Sequence, residues 1–152
     1  MSNPPPTVTI EQVKETDFSL WLPHWRDYQT FYKVALSEAT TQTTWHRFFD
    51  SQEPLYCAVA REGENLLGFV HFVFHRSTWA ETEYCYLEDL FVAPAARGKL
   101  VGKQLIEFVQ QAANERDCAR LYWHTHETNH TAQKLYDWIG GKSGMIEYQM
   151  PL

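Results

Sequence analysis

The chain has 152 residues and a mass of 17.9 kDa, a size that suits one domain with its own core and leaves too little for a second. Its 13 Lys and Arg against 19 Asp and Glu give a formal charge of −6, which excludes the clustered basic surface that a grip on nucleic-acid phosphate requires and makes an amine or a basic peptide the more natural visitor. No apolar run approaches the ~18 residues of a membrane span, and MSNPPPTVTI has neither a basic leader nor an apolar signal core, so no membrane partner and a cytoplasmic setting are expected.

After a Pro-rich stretch expected to be a flexible tail (residues 1–6), Val8 and Ile10 alternate with Thr9 and Glu11 as in a short edge strand. Trp21, Trp25, Tyr28 and Tyr32 then recur at helical spacing, with Pro23 tolerable in the first turn. A second helix is expected around Trp45, Phe48 and Phe49, capped from Thr41, Thr43 or Thr44. YCAVAR and LLGFVHFVF flank the polar turn EGEN and read as a hairpin, and TEYCYLEDLFV is a third strand that stops at Pro94. From Gly98 the period changes: Val101, Leu105, Phe108, Val109 and Ala112 mark a helix running to about Glu115. RLYWHT is another strand, Ala132, Leu135, Tyr136 and Ile139 mark a last helix ended by Gly140 and Gly141, and GMIEYQM is expected to be the final strand. Cys57, Cys85 and Cys118 are widely spaced in apolar surroundings and read as core residues of a reducing compartment rather than as a disulfide framework.

The order β-α-α-β-β-β-α-β-α-β implies a single α/β (α+β) domain over residues 1–152, with a mixed, mostly antiparallel sheet and helices on both faces. Ligands of such sheets are expected where a strand's carboxyl end feeds a helix N-terminus, here between Phe91 and Lys103. In VAPAARGKLVGKQL, exposed helix-start amides together with Arg97, Lys99 and Lys103 form a candidate cradle for a diphosphate, or else a capped helix with ordinary surface charges.

YLEDLFV, then APAARGKLVG, then Asn129, Ala132, Leu135 and Tyr136 stand in an order and spacing that resembles the GNAT superfamily of acetyl-coenzyme A dependent N-acetyltransferases. The resemblance extends from about Tyr56 to the C-terminus; looser similarity in the N-terminal aromatic helix and in YWHTHETNHTAQKLYD points to relatives of yeast histone, polyamine and D-amino-acid acetyltransferases. It implies acetyl-CoA as co-substrate, no metal, and the loop pattern Q/R-x-x-G-x-G/A on Arg97, Gly98, Lys99, Leu100, Val101 and Gly102. Leu100 departs from that pattern: it either crowds the pyrophosphate or turns its side chain away while its N–H still donates. The resemblance further implies Leu90, Phe91 and Val92 beside the pantetheine arm, the Val92 N–H on the thioester carbonyl, and Lys103, Asn129 and Lys134 as cofactor contacts, Asn129 being also a helix cap.

A primary amine is mostly protonated at neutral pH and must lose a proton before it can attack. Strand alternation sets Tyr84, Tyr86 and Glu88 on one face and Cys85, Leu87 and Asp89 on the other. By resemblance Glu88 is the candidate base, with Asp89 in reserve, and Tyr136 the acid that protonates the leaving thiolate. Trp25, Tyr28, His75, Trp79, Tyr86 and His124 are candidate walls of the acceptor pocket, with His71 and His75 sharing a strand face. His124 and His126, with Glu127 and His130, resemble a metal half-site, but no cysteine joins them and no HExxH helix is present. The expected activity is direct acetyl transfer to a polyamine, an amino acid or an exposed lysine, with a catalytically silent acetyl-CoA-binding or interaction domain as the rival. The N-terminal aromatics and exposed strand edges suggest a homodimer.

Overall fold

The structure, a computed structural model, describes residues 7–152; the flexible tail expected at residues 1–6 lies outside the described residues. Five strands, β1 (Val8–Gln12), β2 (Leu55–Glu62), β3 (Asn65–His75), β4 (Tyr84–Val92) and β5 (Arg120–Trp123), form one sheet in chain order. All neighbours are antiparallel except β4 and β5. Helices α1 (Phe18–Phe31) and α2 (Glu38–Arg47) cover one face, and α3 (Val101–Glu115) and α4 (His130–Ile139) belong to the other. None is long and apolar enough to cross a membrane.

Side-chain alternation divides the core into two layers. Val70 and Phe72 of β3 join Leu87, Val101, Leu105 and Val109 under α3, whereas Phe69 joins Trp21, Trp25, Trp45, Phe48 and Val59 under α1 and α2. α3 exists because Val101, Leu105, Val109 and Ala113 repeat every four residues and are all buried, each large aliphatic contributing about 2 kcal/mol. The cap of α2 lies further upstream than the Thr cluster suggests: Ser37 accepts the Thr40 N–H at 3.1 Å, and Phe48 and Phe49 follow the helix instead of ending it.

The expected final strand is absent. Residues 144–150 pair with no strand among the described residues, and Met145, Ile146, Tyr148 and Met150 are exposed. Alternation favours an extended backbone but does not supply a ladder partner, and this segment pairs with no strand edge among the described residues. RLYWHT also pairs only as far as Trp123, which leaves His124 beyond the strand.

Candidate active site

β4 and β5 pair only from Tyr84–Leu87 against Arg120–Trp123. Beyond Leu87, β4 continues to Val92 with β3 on one side and no strand among the described residues on the other, so its outward backbone groups from Glu88 to Val92 border a cleft. An extended ligand could bind there as an added strand. The far end is closed by helices: a Cβ on Gly102 would lie 3.4 Å from Leu135 of α4 and 3.6 Å from Val92, so glycine lets α3 start close against both.

The loop into α3 turns through Gly98 at φ 89° and Leu100 at φ 58°. Leu100 therefore keeps a left-handed, glycine-type backbone as the N-cap of α3, while its side chain is 56% exposed. Its carbonyl accepts from Gln104 at 3.1 Å, and the first amides of α3 have no partner within the helix. Arg97 is exposed beside them. The two lysines are directed elsewhere: Lys99 pairs with Glu62 at 3.7 Å, and Lys103 pairs with Glu107 at 2.8 Å and lies 4.9 Å over Trp138. Lys134 is exposed on α4.

A register shift decides where the carboxylates lie. His71 faces Asp89 and Phe72 faces Leu87, so Glu88 is the extra residue of a β-bulge. The alternation read from the sequence fails at this point, and Glu88 and Asp89 lie on the same, α1-facing side of β4 instead of opposite sides. Asp89 accepts from His71 Nδ1 at 2.9 Å, His71 Nε2 accepts from Trp21 Nε1 at 3.1 Å, and the Tyr28 hydroxyl is turned towards Asp89. Partial burial, then the neighbouring Asp89, raises the Glu88 carboxyl above its ordinary range against an opposing effect of His71. Burial also raises the phenols of Tyr28 and, to about 12, of Tyr86, with Asp89 and Glu88 adding to both.

Tyr86 stacks on Tyr122 with centroids 5.0 Å apart, and its hydroxyl meets His124 at 3.2 Å. His75 bonds the Tyr122 hydroxyl at 2.6 Å, and His124 lies 3.8 Å from Glu147. Two expected pocket residues are elsewhere. Trp25 is buried in the aromatic core against Phe69 and His71, because its helical stripe faces the sheet. Trp79 is 74% exposed in the β3–β4 loop, 5.9 Å from Arg120, at the opposite end of the β4–β5 pair from Glu88. The histidines of YWHTHETNH point in different directions: His126 bonds Thr128 while His124 faces Tyr86 and Glu147.

Tyr136 is half-buried against Trp123, and burial followed by Tyr32 raises its phenol to about 12, which keeps its proton on at neutral pH. Asn129 caps α4 by accepting from Ala132 at 3.2 Å and also meets Tyr32. Sequence reasoning missed Tyr32 and Tyr122 as site residues. The alternation that selected His124 could have found Tyr122, whereas nothing local marks the bond between His71 and Asp89.

The mixed sheet opens between β4 and a parallel β5, with the start of α3 at one end of the opening and the adjacent carboxylates Glu88 and Asp89 at the other. Residues 20–140 match the Acetyltransferase (GNAT) family, and the chain belongs to that family. It is 34% identical to the D-amino-acid N-acetyltransferase HPA3 of Saccharomyces cerevisiae, over 93% of this chain and 89% of that protein. It is 26% identical to the thialysine N-epsilon-acetyltransferase of Bos taurus, over 89% of this chain and 84% of that one. The fold matches the aminoglycoside N-acetyltransferase AAC(6')-Iy solved with CoA, at a TM-score of 0.83 and 18% identity over 100% of both chains.

Proposed function

We propose that this GNAT N-acetyltransferase moves the acetyl group of acetyl-CoA directly onto the primary amine of a small cationic acceptor, a polyamine or an amino acid, or onto an exposed lysine. One observation carries this reading: the bulge sets Glu88 and Asp89 together where the free edge of β4 begins, beside the aromatic floor of Tyr86 and Tyr122. The D-amino-acid and thialysine acetyltransferases among the relatives support an amine of this size.

The residues present fit acetyl-CoA. The α3 amides, Gly98 and Arg97 would hold the diphosphate, with Lys99, Lys103 and Lys134 at its edge, and β4 from Leu90 to Val92 would hold the arm. The bound thioester supplies an activated acetyl carbon. Glu88 would take one proton from the acceptor's ammonium group, freeing the lone pair that forms the C–N bond; as the C–S bond breaks, Tyr136 would give its proton to sulfur and recover one from the acetylated nitrogen, which leaves the amide, the free thiol and a protonated Glu88. The Val92 N–H would donate to the thioester carbonyl oxygen, where such a donor contributes about 3 kcal/mol. Direct transfer is favoured over an acetyl-thiol enzyme because burial raises the thiols of Cys57 and, to about 12, of Cys85, which both lie in the core. We also read the protein as cytoplasmic, in line with these free thiols, and homodimeric, in line with its exposed C-terminal apolar residues.

The test is thiol release from acetyl-CoA across a panel of diamines, D- and L-amino acids and lysine peptides. Amine-dependent release that falls about a hundredfold in Tyr136→Phe, with the cofactor-induced rise in melting temperature retained, is the expected result. Saturable stabilisation by acetyl-CoA without release for any amine would leave a silent binding domain.

A further inference from the structure

Among the described histidines only His71 is buried, at 4% exposure. Its ring stacks on Phe69 with centroids 4.4 Å apart and lies 5.0 Å from both Trp25 and Phe48. An imidazole in such a place is costly unless both nitrogens are bonded, and both are. Trp21, itself fully buried, points its indole nitrogen at Nε2 across 3.1 Å. An indole N–H can only donate, so Nε2 must be bare, and the ring proton sits on Nδ1, 2.9 Å from Asp89. The bonds therefore run in one direction, from the core through the sheet to the acceptor cleft.

An aliphatic residue at position 71 would serve the aromatic core better than a histidine, so the gain must lie at Asp89. The titratable groups that face Asp89 are Tyr28 and Tyr32 of α1, Cys57 of β2, His71 of β3, and Tyr86 and Glu88 of β4. No Lys or Arg among the described residues lies within ion-pair distance of it. The charge of Asp89 is thus held in place by neutral donors and left without a cation of the protein's own.

We propose that Trp21 and His71 are positioning residues of the amine site: Trp21 fixes the tautomer of His71, and His71 pins the Asp89 carboxylate beside Glu88 as the anion that receives the acceptor's ammonium group. This rests on Glu88 as the proton acceptor. The ammonium group docks against Asp89 and gives one proton to Glu88. A pinned neighbouring anion also makes Glu88 more basic, so one contact serves both binding and proton transfer.

The experiment compares the full-length protein with His71→Phe, His71→Asn and Trp21→Phe. Phe keeps the ring and removes both bonds, whereas the Asn amide places an N–H donor where Nδ1 stood. Nitrogen-15 spectra of the wild type are expected to show His71 as the Nδ1–H tautomer, and carboxyl carbon-13 titration to show the Glu88 midpoint displaced in His71→Phe and restored in His71→Asn. With an amine that is turned over, His71→Phe raises the amine KM about tenfold, the loss expected for one hydrogen bond to a charged group, while stabilisation by acetyl-CoA is kept. The acid limb of kcat/KM moves with the Glu88 midpoint. A proton found on Nε2, or a Glu88 midpoint and amine KM unchanged in His71→Phe, overturns the proposal. Should His71→Phe not fold, Trp21→Phe decides it: mixed His71 tautomers and a displaced Glu88 midpoint support it, and an unchanged tautomer and midpoint overturn it. The NMR arm needs no turnover, so absence of any accepted amine counts against the acetyl-transfer reading alone.

Discussion

Leu100 occupies a left-handed backbone at φ 58° and ψ 25°, where an L side chain crowds its own carbonyl at a cost of about 1–2 kcal/mol. The loop bears this cost because the same geometry starts α3 and leaves its first amides free. Leu100→Gly relieves the strain but adds unfolded-chain freedom worth about 0.4–1 kcal/mol, so a net gain of about 0.5–1 kcal/mol is expected. For a chain of this length that raises the melting temperature by roughly 1–4 °C, with acetyl-CoA affinity equal or higher. Thermal unfolding with and without acetyl-CoA checks both. A lower melting temperature in both conditions would mean that the leucine side chain makes a packing contribution larger than the strain. The departure at this position was legible in the sequence, but its backbone angle was not, because no residue preference places leucine in that region.

The start of α1 is tied to the sheet by one carboxylate. Asp17 accepts Arg61 at 3.1 and 2.7 Å and the Lys14 N–H at 2.9 Å, and Arg61 also donates to Glu11 at 2.7 Å. Burial alone would raise the Asp17 carboxyl, but Arg61 and the Lys14 amide outweigh it and hold the group below its ordinary range. A depressed carboxyl contributes stability above its unfolded value of ~3.9 and loses it as pH falls through the folded value. Asp17→Asn is therefore expected to cost about 3 kcal/mol at pH 7, roughly 6–12 °C in melting temperature, with the gap narrowing below pH ~4. Melting curves from pH 7 to pH 3 test this, and a gap constant across that range would assign the loss to packing. Trp21 and Tyr28 stand on this helix, so its anchoring also sets the geometry around Asp89. The apolar period made α3 and α4 legible, and turn residues made the β2–β3 hairpin legible. The β4 bulge was not: an inserted residue leaves the composition of a strand unchanged, so Glu88 could be selected while its relation to Asp89 came out reversed. Trp25 shows the same limit, since a helical stripe states which residues share a face but not whether that face meets core or cleft.

GMIEYQM was misread for a different reason: its alternation is real, but pairing is a property of the surface it meets. Met145, Ile146, Tyr148 and Met150 are each at least 75% exposed, and the outer edge of the four-residue β5 carries no strand among the described residues. An unpaired strand edge and an exposed segment of alternating apolar residues are liabilities that partner chains commonly cover, and a second copy offers the same two features in return. Light scattering in solution is therefore expected to give about 36 kDa, twice the 17.9 kDa of the chain. Ile146→Glu with Tyr148→Glu should return it to a single chain with its circular dichroism unchanged, because neither side chain belongs to either core. A wild-type mass of one chain would mean that the segment serves its own molecule alone. Glu147 lies 3.8 Å from His124, beside the proposed amine site, so assembly through this segment would also bear on catalysis. The dimer-breaking pair should change the amine KM more than the acetyl-CoA-induced stabilisation, since the segment borders the carboxylate end of the cleft and not the helix-start cradle.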